Sequence, residues 1–144
     1  MSRYILDTDH LSFLQRSNDD VLRRLMSHPA TDIAITIVTV EEQLRGWLAV
    51  IRQHHASERQ VVAYRGLHDA VTMLNRFTIL DFDHHAYSRY TQLRQECIRI
   101  GSQDLRIAAI ALTIGATLIT RNQRDFSQVP QLTHEDWSRP PSPS

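Results

Sequence analysis

Short apolar runs alternate with longer amphipathic ones along this chain, and the alternation predicts its elements. Residues 3–6 are apolar and stop at Asp7, which reads as a strand. Residues 9–15 predict a short helix. Asn18 or Asp19 is placed to cap a second, with Val21, Leu22 and Leu25 on one face and Pro29 ending it. The β-branched run 33–37 predicts the second strand. Thr39, with Glu42 three residues later, has the form of a capping box, and Val40, Leu44, Trp47, Leu48 and Ile51 follow at helical spacing. A further helix is expected over 57–76, its face made by Val61, Val62, Tyr64, Leu67, Val71 and Leu74. Residues 78–80 read as the third strand. A helix over 83–100 would end at Gly101, and another over 105–114, opened by Asp104, would end at Gly115. Residues 116–119 are the fourth strand, 120–125 a polar loop, and 129–132 a short last strand.

Strands alternating with helices imply a three-layer α/β/α fold around a parallel sheet of four to five strands. One domain over residues 1–138 is expected, with a Pro- and Ser-rich disordered tail at 139–144. No run of about 18 apolar residues is present, so no transmembrane helix is expected. The opening segment has one basic residue and turns acidic at Asp7, unlike a secretory signal, and a cytoplasmic protein is expected. The single cysteine, Cys97, excludes an intrachain disulfide and a cysteine-based zinc site. It falls in the helical run 87–100 and reads as a buried core residue or an inert thiol rather than a nucleophile. The 16 basic residues balance the 16 acidic ones, unlike a protein that coats nucleic acid, and all 16 are arginine.

The acids fall where predicted strands end. Asp7 follows the first, Glu42 begins the helix after the second, Asp104 begins the helix leading into the fourth, and Asn122 and Asp125 lie in the loop after it. In an open α/β sheet, ligands bind at the carboxyl ends of the strands. Carboxylates gathered there raise one another's pKa, a cost that a bound cation removes. Hard oxygen donors without cysteine indicate Mg²⁺ or Mn²⁺, an ion that orients and polarises a phosphodiester. Each acid also has a structural reading as a helix cap, and their joint placement favours the metal.

Four segments then carry a resemblance. Tyr4-Ile-Leu-Asp-Thr-Asp-His10, Thr39-Val-Glu-Glu-Gln-Leu-Arg-Gly46, Gly101-Ser-Gln-Asp-Leu-Arg-Ile-Ala-Ala109, and Ala116-Thr-Leu-Ile-Thr-Arg-Asn-Gln-Arg-Asp-Phe126 with Val129-Pro130 resemble, in order, the motifs of PIN-domain ribonucleases. Within that family they resemble the VapC-like toxins of toxin–antitoxin pairs. The resemblance runs from residue 3 to about 137. It implies a Mg²⁺- or Mn²⁺-dependent endoribonuclease with Asp7 and Asp104 as principal metal ligands. Glu42, preferred to Glu41 because Gly46 stands four residues beyond it, is the third acid, binding metal or orienting water. Asn122 and Asp125 stand equally for the fourth position. Asp9 replaces the more usual Asn, as an added metal-binding charge or a solvent-facing group. The resemblance also implies an RNA substrate, an antitoxin laid across the active edge, and a homodimer.

Thr8, Thr36 and Thr120 are placed to buttress the ligands. Arg45, Arg52, Arg106, Arg121 and Arg124 lie near the same edge, as phosphate contacts or as ordinary surface. His54-His55 and His84-His85 lack the i, i+4 spacing of a helical metal pair and read as surface or helix-end residues. Trp47 and Trp137 read as packing anchors. Asp7-Thr-Asp9 after a strand also resembles the opening of haloacid-dehalogenase phosphatases, but the chain has no lysine to balance an aspartyl-phosphate. The same absence, with only four glycines, argues against a phosphate-binding loop. The remaining alternative is a catalytically inactive PIN fold that binds RNA or protein, against which the joint presence of Asp7, Glu42 and Asp104 argues.

Overall fold

Neighbouring residues on one strand set the layers. In β1 (Tyr4–Leu6), Ile5 and Leu6 are both fully buried but in different cores, because successive strand side chains point to opposite faces. Leu118 and Ile119 of β4 (Thr117–Ile119) divide in the same way. The computed structural model, which describes residues 2–139, thus has a sheet covered on both sides. Its five strands are all parallel, in the order β3-β2-β1-β4-β5. The others are β2 (Ile33–Thr36), β3 (Thr78–Leu80) and β5 (His134–Glu135).

One face is covered by α5 (His84–Gln95) and α6 (Ser102–Ile114). Tyr90, Leu93, Ile107 and Ile110 pack there with Ile5, Leu118 and Phe126. The other face is covered by α1 (Thr8–Gln15), α3 (Ile37–Gln53) and α4 (Arg59–Leu74). Leu11 and Leu74 pack there with Leu6, Ile35 and Trp137. α2 (Asp19–Met26) and the short α7 (Gln123–Phe126) complete the set. The helix after β1 goes to one face and Phe126, just after β4, to the other. The sheet therefore has its topological switch point between β1 and β4, where α/β folds open a crevice.

Several boundaries differ from the sequence expectation. The second strand ends at Thr36, whose hydroxyl accepts the Thr39 N–H at 3.1 Å, so the helix cap is Thr36 and the expected Thr39–Glu42 capping box does not form. α5 stops at Gln95 rather than at residue 100, and the chain turns through Cys97 at φ 57°. Cys97 is exposed, not buried, and Gly101 leads into α6 instead of closing α5. Gly115, at φ 70°, does close α6. The last strand is His134–Glu135, not 129–132; Val129 is instead a buried core residue. The expected tail at 139–144 lies, but for Arg139, outside the described residues. Among the described residues no helix is long and apolar enough to cross a membrane.

The expected face of α4 is largely turned out: Val61, Val62, Tyr64 and Val71 are exposed, while Ala63, Ala70 and Leu74 are buried. Small residues face α3 because the Trp47 ring occupies the space over Gly66, where even a Cβ would overlap it. Trp137 is buried against Tyr4 and stacked on His28, so both tryptophans are packing anchors as expected. Gly66→Val should lower stability by about 1–3 kcal/mol, because the Trp47 ring must be displaced from a packed interface. A chemical-denaturation midpoint read by tryptophan fluorescence checks this, and an unchanged midpoint would mean that α3 and α4 do not pack through this contact.

Candidate active site

Asp7 caps α1 directly after β1, which leaves its carboxylate at the switch point. One oxygen accepts the Thr8 N–H at 2.8 Å and the other accepts the Thr120 hydroxyl at 2.8 Å. Thr120 follows β4, so this second bond joins the two strand ends across the crevice. Only 6% of Asp7 is exposed. Burial, and next the charge of Asp9, push its pKa to about 7, against the lowering effect of the Thr120 and Thr8 bonds; Asp104 adds to the rise.

Asp104 stands in the first turn of α6 and is half-buried. Burial, then the charges of Glu42, Asp125 and Asp9, push its pKa up to about 6. Glu42, freed from the capping box, accepts the Thr8 hydroxyl at 2.9 Å. Glu41 turns away, toward Arg45 at 2.6 Å and the Gln103 amide at 2.7 Å. Asn122 caps α7, and its amide donates to Asp125 at 3.0 Å. The fold therefore brings Asp7, Glu42, Asp104 and Asp125 within electrostatic reach of one edge, with Asn122 holding Asp125.

Thr8 and Thr120 do support the carboxylates, whereas Thr36 is spent on its helix cap. Asp9, expected either as an added metal-binding charge or as a solvent-facing group, is engaged by protein groups on both oxygens: His10 at 2.7 Å and the Arg121 N–H at 3.0 Å. The His10 contact is a feature that reading the sequence missed. Arg106 lies over the Tyr90 ring at 4.7 Å, while Arg45, Arg52, Arg121 and Arg124 are exposed. The expected surface or helix-end placement holds: His55, His84 and His85 are exposed, and His54, half-buried, is the C-cap of α3.

Among the described residues no three acidic, histidine or cysteine groups already converge on one point at ligand distances. Hydroxyl and amide donors hold several of these carboxylates. The donor set is nevertheless that of a hard divalent cation, and the two raised pKa values reflect desolvation and repulsion that such an ion would relieve. A large concavity lies elsewhere. It is an open apolar groove of about 720 Å³ lined by Leu14, Leu22, Leu25, Trp47, Met73 and Phe77, and it contains none of these carboxylates.

A strand-end Asp, a Glu on the next helix and an Asp opening the helix before β4 define a class, and the sequence pattern of the PIN domain matches residues 4–132. The chain belongs to that family, whose nucleases depend on metal in general. It is similar to the tRNA(fMet)-specific endonuclease VapC of Salmonella typhimurium, at 26% identity over 141 residues, covering 95% of this chain and 99% of the relative. Ribonuclease VapC1 of Haemophilus influenzae is 27% identical over 140 residues, covering 94% and 98%. The crystal structure of DNA-bound VapBC from Salmonella typhimurium superposes with a TM-score of 0.79 at 25% identity, covering 95% of this chain and 99% of that one.

The folded Asp7 value lies above the ordinary 3.8, so between pH about 4 and 7 the folded protein keeps a proton that the unfolded chain has lost. Stability falls across that window, and the penalty is complete above it. Asp7→Asn keeps an acceptor for Thr8 and removes the charge. Without metal it should be more stable than the parent at pH 8, by up to about 4 kcal/mol, with the gap closing toward pH 4. Mn²⁺ should stabilise the parent at pH 8 but not the variant. Thermal melts across pH, with and without Mn²⁺, measure this, and a gap independent of pH would contradict the burial of an ionisable Asp7.

Proposed function

We propose that this chain is a divalent-metal-dependent endoribonuclease acting as the toxin of a toxin–antitoxin pair. The observation that carries the reading is the buried Asp7, held at the switch point across from Asp104, with both carboxyls pushed up by their neighbours. Relatives named as a tRNA(fMet)-specific endonuclease and a ribonuclease support RNA as substrate. Solved relatives that are VapBC complexes support an antitoxin partner. A second copy of the chain, forming a homodimer, is part of the same reading, as is a single PIN domain over 1–138.

Asp7 and Asp104 would hold the ion, with Glu42 as the third acid. Mg²⁺ or Mn²⁺ suits an all-oxygen donor set, since both nitrogens of the nearest histidine are already bonded. When bound, such an ion polarises a phosphodiester and lowers the pKa of water. The chain's own groups do the rest. Thr120 fixes one Asp7 oxygen and Thr8 fixes one Glu42 oxygen, which leaves the other Glu42 oxygen to bind metal or orient the attacking water. Asp125 completes the acidic edge, and Asn122 positions it rather than acting in its place. The exposed Arg121 and Arg124, beside this loop, are placed to meet phosphates of a polymer lying along the edge.

Incubation of purified protein with total RNA should give discrete products with Mg²⁺ or Mn²⁺ and none with EDTA. Asp7→Asn and Asp104→Asn should each lower the cleavage rate by roughly a thousandfold, as expected when a group that positions charge at the reacting phosphate is lost. Glu42→Gln should lower it as well. Full activity in Asp7→Asn would overturn the reading. Metal binding without cleavage of any RNA would leave an inactive, RNA- or protein-binding PIN fold.

A further inference from the structure

His10 is fully buried at the start of α1, next to the site but outside the donor set. Its Nε2 receives the backbone N–H of Trp137 at 3.1 Å. An amide N–H only donates, so Nε2 presents its lone pair and the ring proton sits on Nδ1. That proton is donated to Asp9 Oδ1 at 2.7 Å. The second Asp9 oxygen accepts the Arg121 N–H at 3.0 Å, and the Thr120 hydroxyl lies 3.4 Å from it. Asp9 thus joins the first turn of α1 to the loop after β4, the loop that carries Asn122 and Asp125.

The segment beyond β5 has other anchors. Arg24 Nη1 donates to the Asp136 carbonyl at 3.1 Å, and the Trp137 indole N–H donates to Glu135 at 3.1 Å. The His10–Trp137 bond is therefore one of several that hold the segment. The His10–Asp9 bond, by contrast, has no substitute on Oδ1 among the described residues.

We propose that His10 is a positioning residue for the metal site: through its fixed tautomer it locks Asp9 as a strut between α1 and the loop after β4, which makes Asp9 a spacer of the ligands and not a ligand itself. This rests on the metal-site reading above. A strut of this kind sets the separation between Asp7 on β1 and the Asn122–Asp125 side of the edge. It also keeps a negative charge beside the ion without occupying a coordination position. Groups that orient ligands from behind typically change metal affinity by about 10–100-fold when removed.

Two substitutions separate the two ends of the imidazole. In His10→Gln the side-chain oxygen reaches the place of Nε2 and can still accept the Trp137 N–H, but the donor to Asp9 is gone. In His10→Asn the amide nitrogen takes the place of Nδ1 and can still donate to Asp9, but the Trp137 N–H loses its acceptor. Free Mn²⁺ is followed by electron paramagnetic resonance in a titration of each purified protein without RNA, beside thermal melts in metal-free buffer. The expected result is that His10→Gln binds Mn²⁺ roughly tenfold more weakly with little change in melting. His10→Asn should melt lower yet keep an affinity close to the parent's. Equal Mn²⁺ affinity in all three proteins overturns the proposal. So does a loss of affinity that follows the loss of melting temperature in both variants, because His10 would then act on stability alone. If the parent itself does not bind Mn²⁺, or binds it no better than Asp7→Asn, the metal-site reading fails instead.

Discussion

The need to place carboxylates together at the edge of a sheet is the constraint around which this molecule is arranged. Asp7 is almost excluded from water, with Asp9 and Asp104 acting on it, and Asp104 in turn feels Glu42 and Asp125. Such a cluster is held against its own repulsion. The rigidity comes from a parallel sheet whose central strand, β1, is paired on both sides and buried on both faces. The local restraint comes from donors that are not themselves charged: the Thr8 N–H and hydroxyl, the Thr120 hydroxyl, the Arg121 N–H and the Asn122 amide. Neutral donors hold the acids in place without cancelling the charge that attracts a cation. An arginine in their position would have satisfied the carboxylates and repelled the ion.

Much of this was legible in the sequence. The run ending at Asp7 could only be a strand with an acid at its carboxyl end, and Gly115 marked the end of α6 correctly because its left-handed conformation suits glycine. Four spaced motifs fixed the family expectation, while the parting of Glu42 and Glu41 toward different partners appears only in the fold. What could not be read were choices decided by tertiary packing. Thr39, with Glu42 three positions on, had the form of a cap, whereas Thr36 lay inside the β-branched run. Pairing of Thr36 with Leu80 decided between them, because it carries β2 one residue short of the β-branched run's end. On α4, hydrophobicity pointed to the large side chains, but the Trp47 ring fills the space over Gly66, and the buried residues are Ala63, Ala70 and Leu74. Val129 looked like a strand residue and serves as a core plug, while the polar pair His134–Glu135 forms the strand by pairing with Leu118 and Ile119.

His10 shows a different limit. A histidine beside an acid-rich motif invites a ligand role, and nothing near it in sequence contradicts that. Its partner is a backbone amide 127 positions away. Only the fold reveals that both ring nitrogens are occupied, and with that the neighbouring Asp9 changes from an extra charge of unknown use into a bridge with a definite geometry.

The same long separation has a consequence for how the protein is made. The Asp7–Thr120 bond spans 113 positions and the His10–Trp137 bond 127, so the two ends of the described chain meet at the catalytic edge. Chains emerge from the ribosome amino end first and fold as they do so. A nascent copy that has made Asp7 lacks β4, the Thr120 hydroxyl and the acids beyond it until more than a hundred further residues have been translated. Half-made copies therefore have no assembled edge.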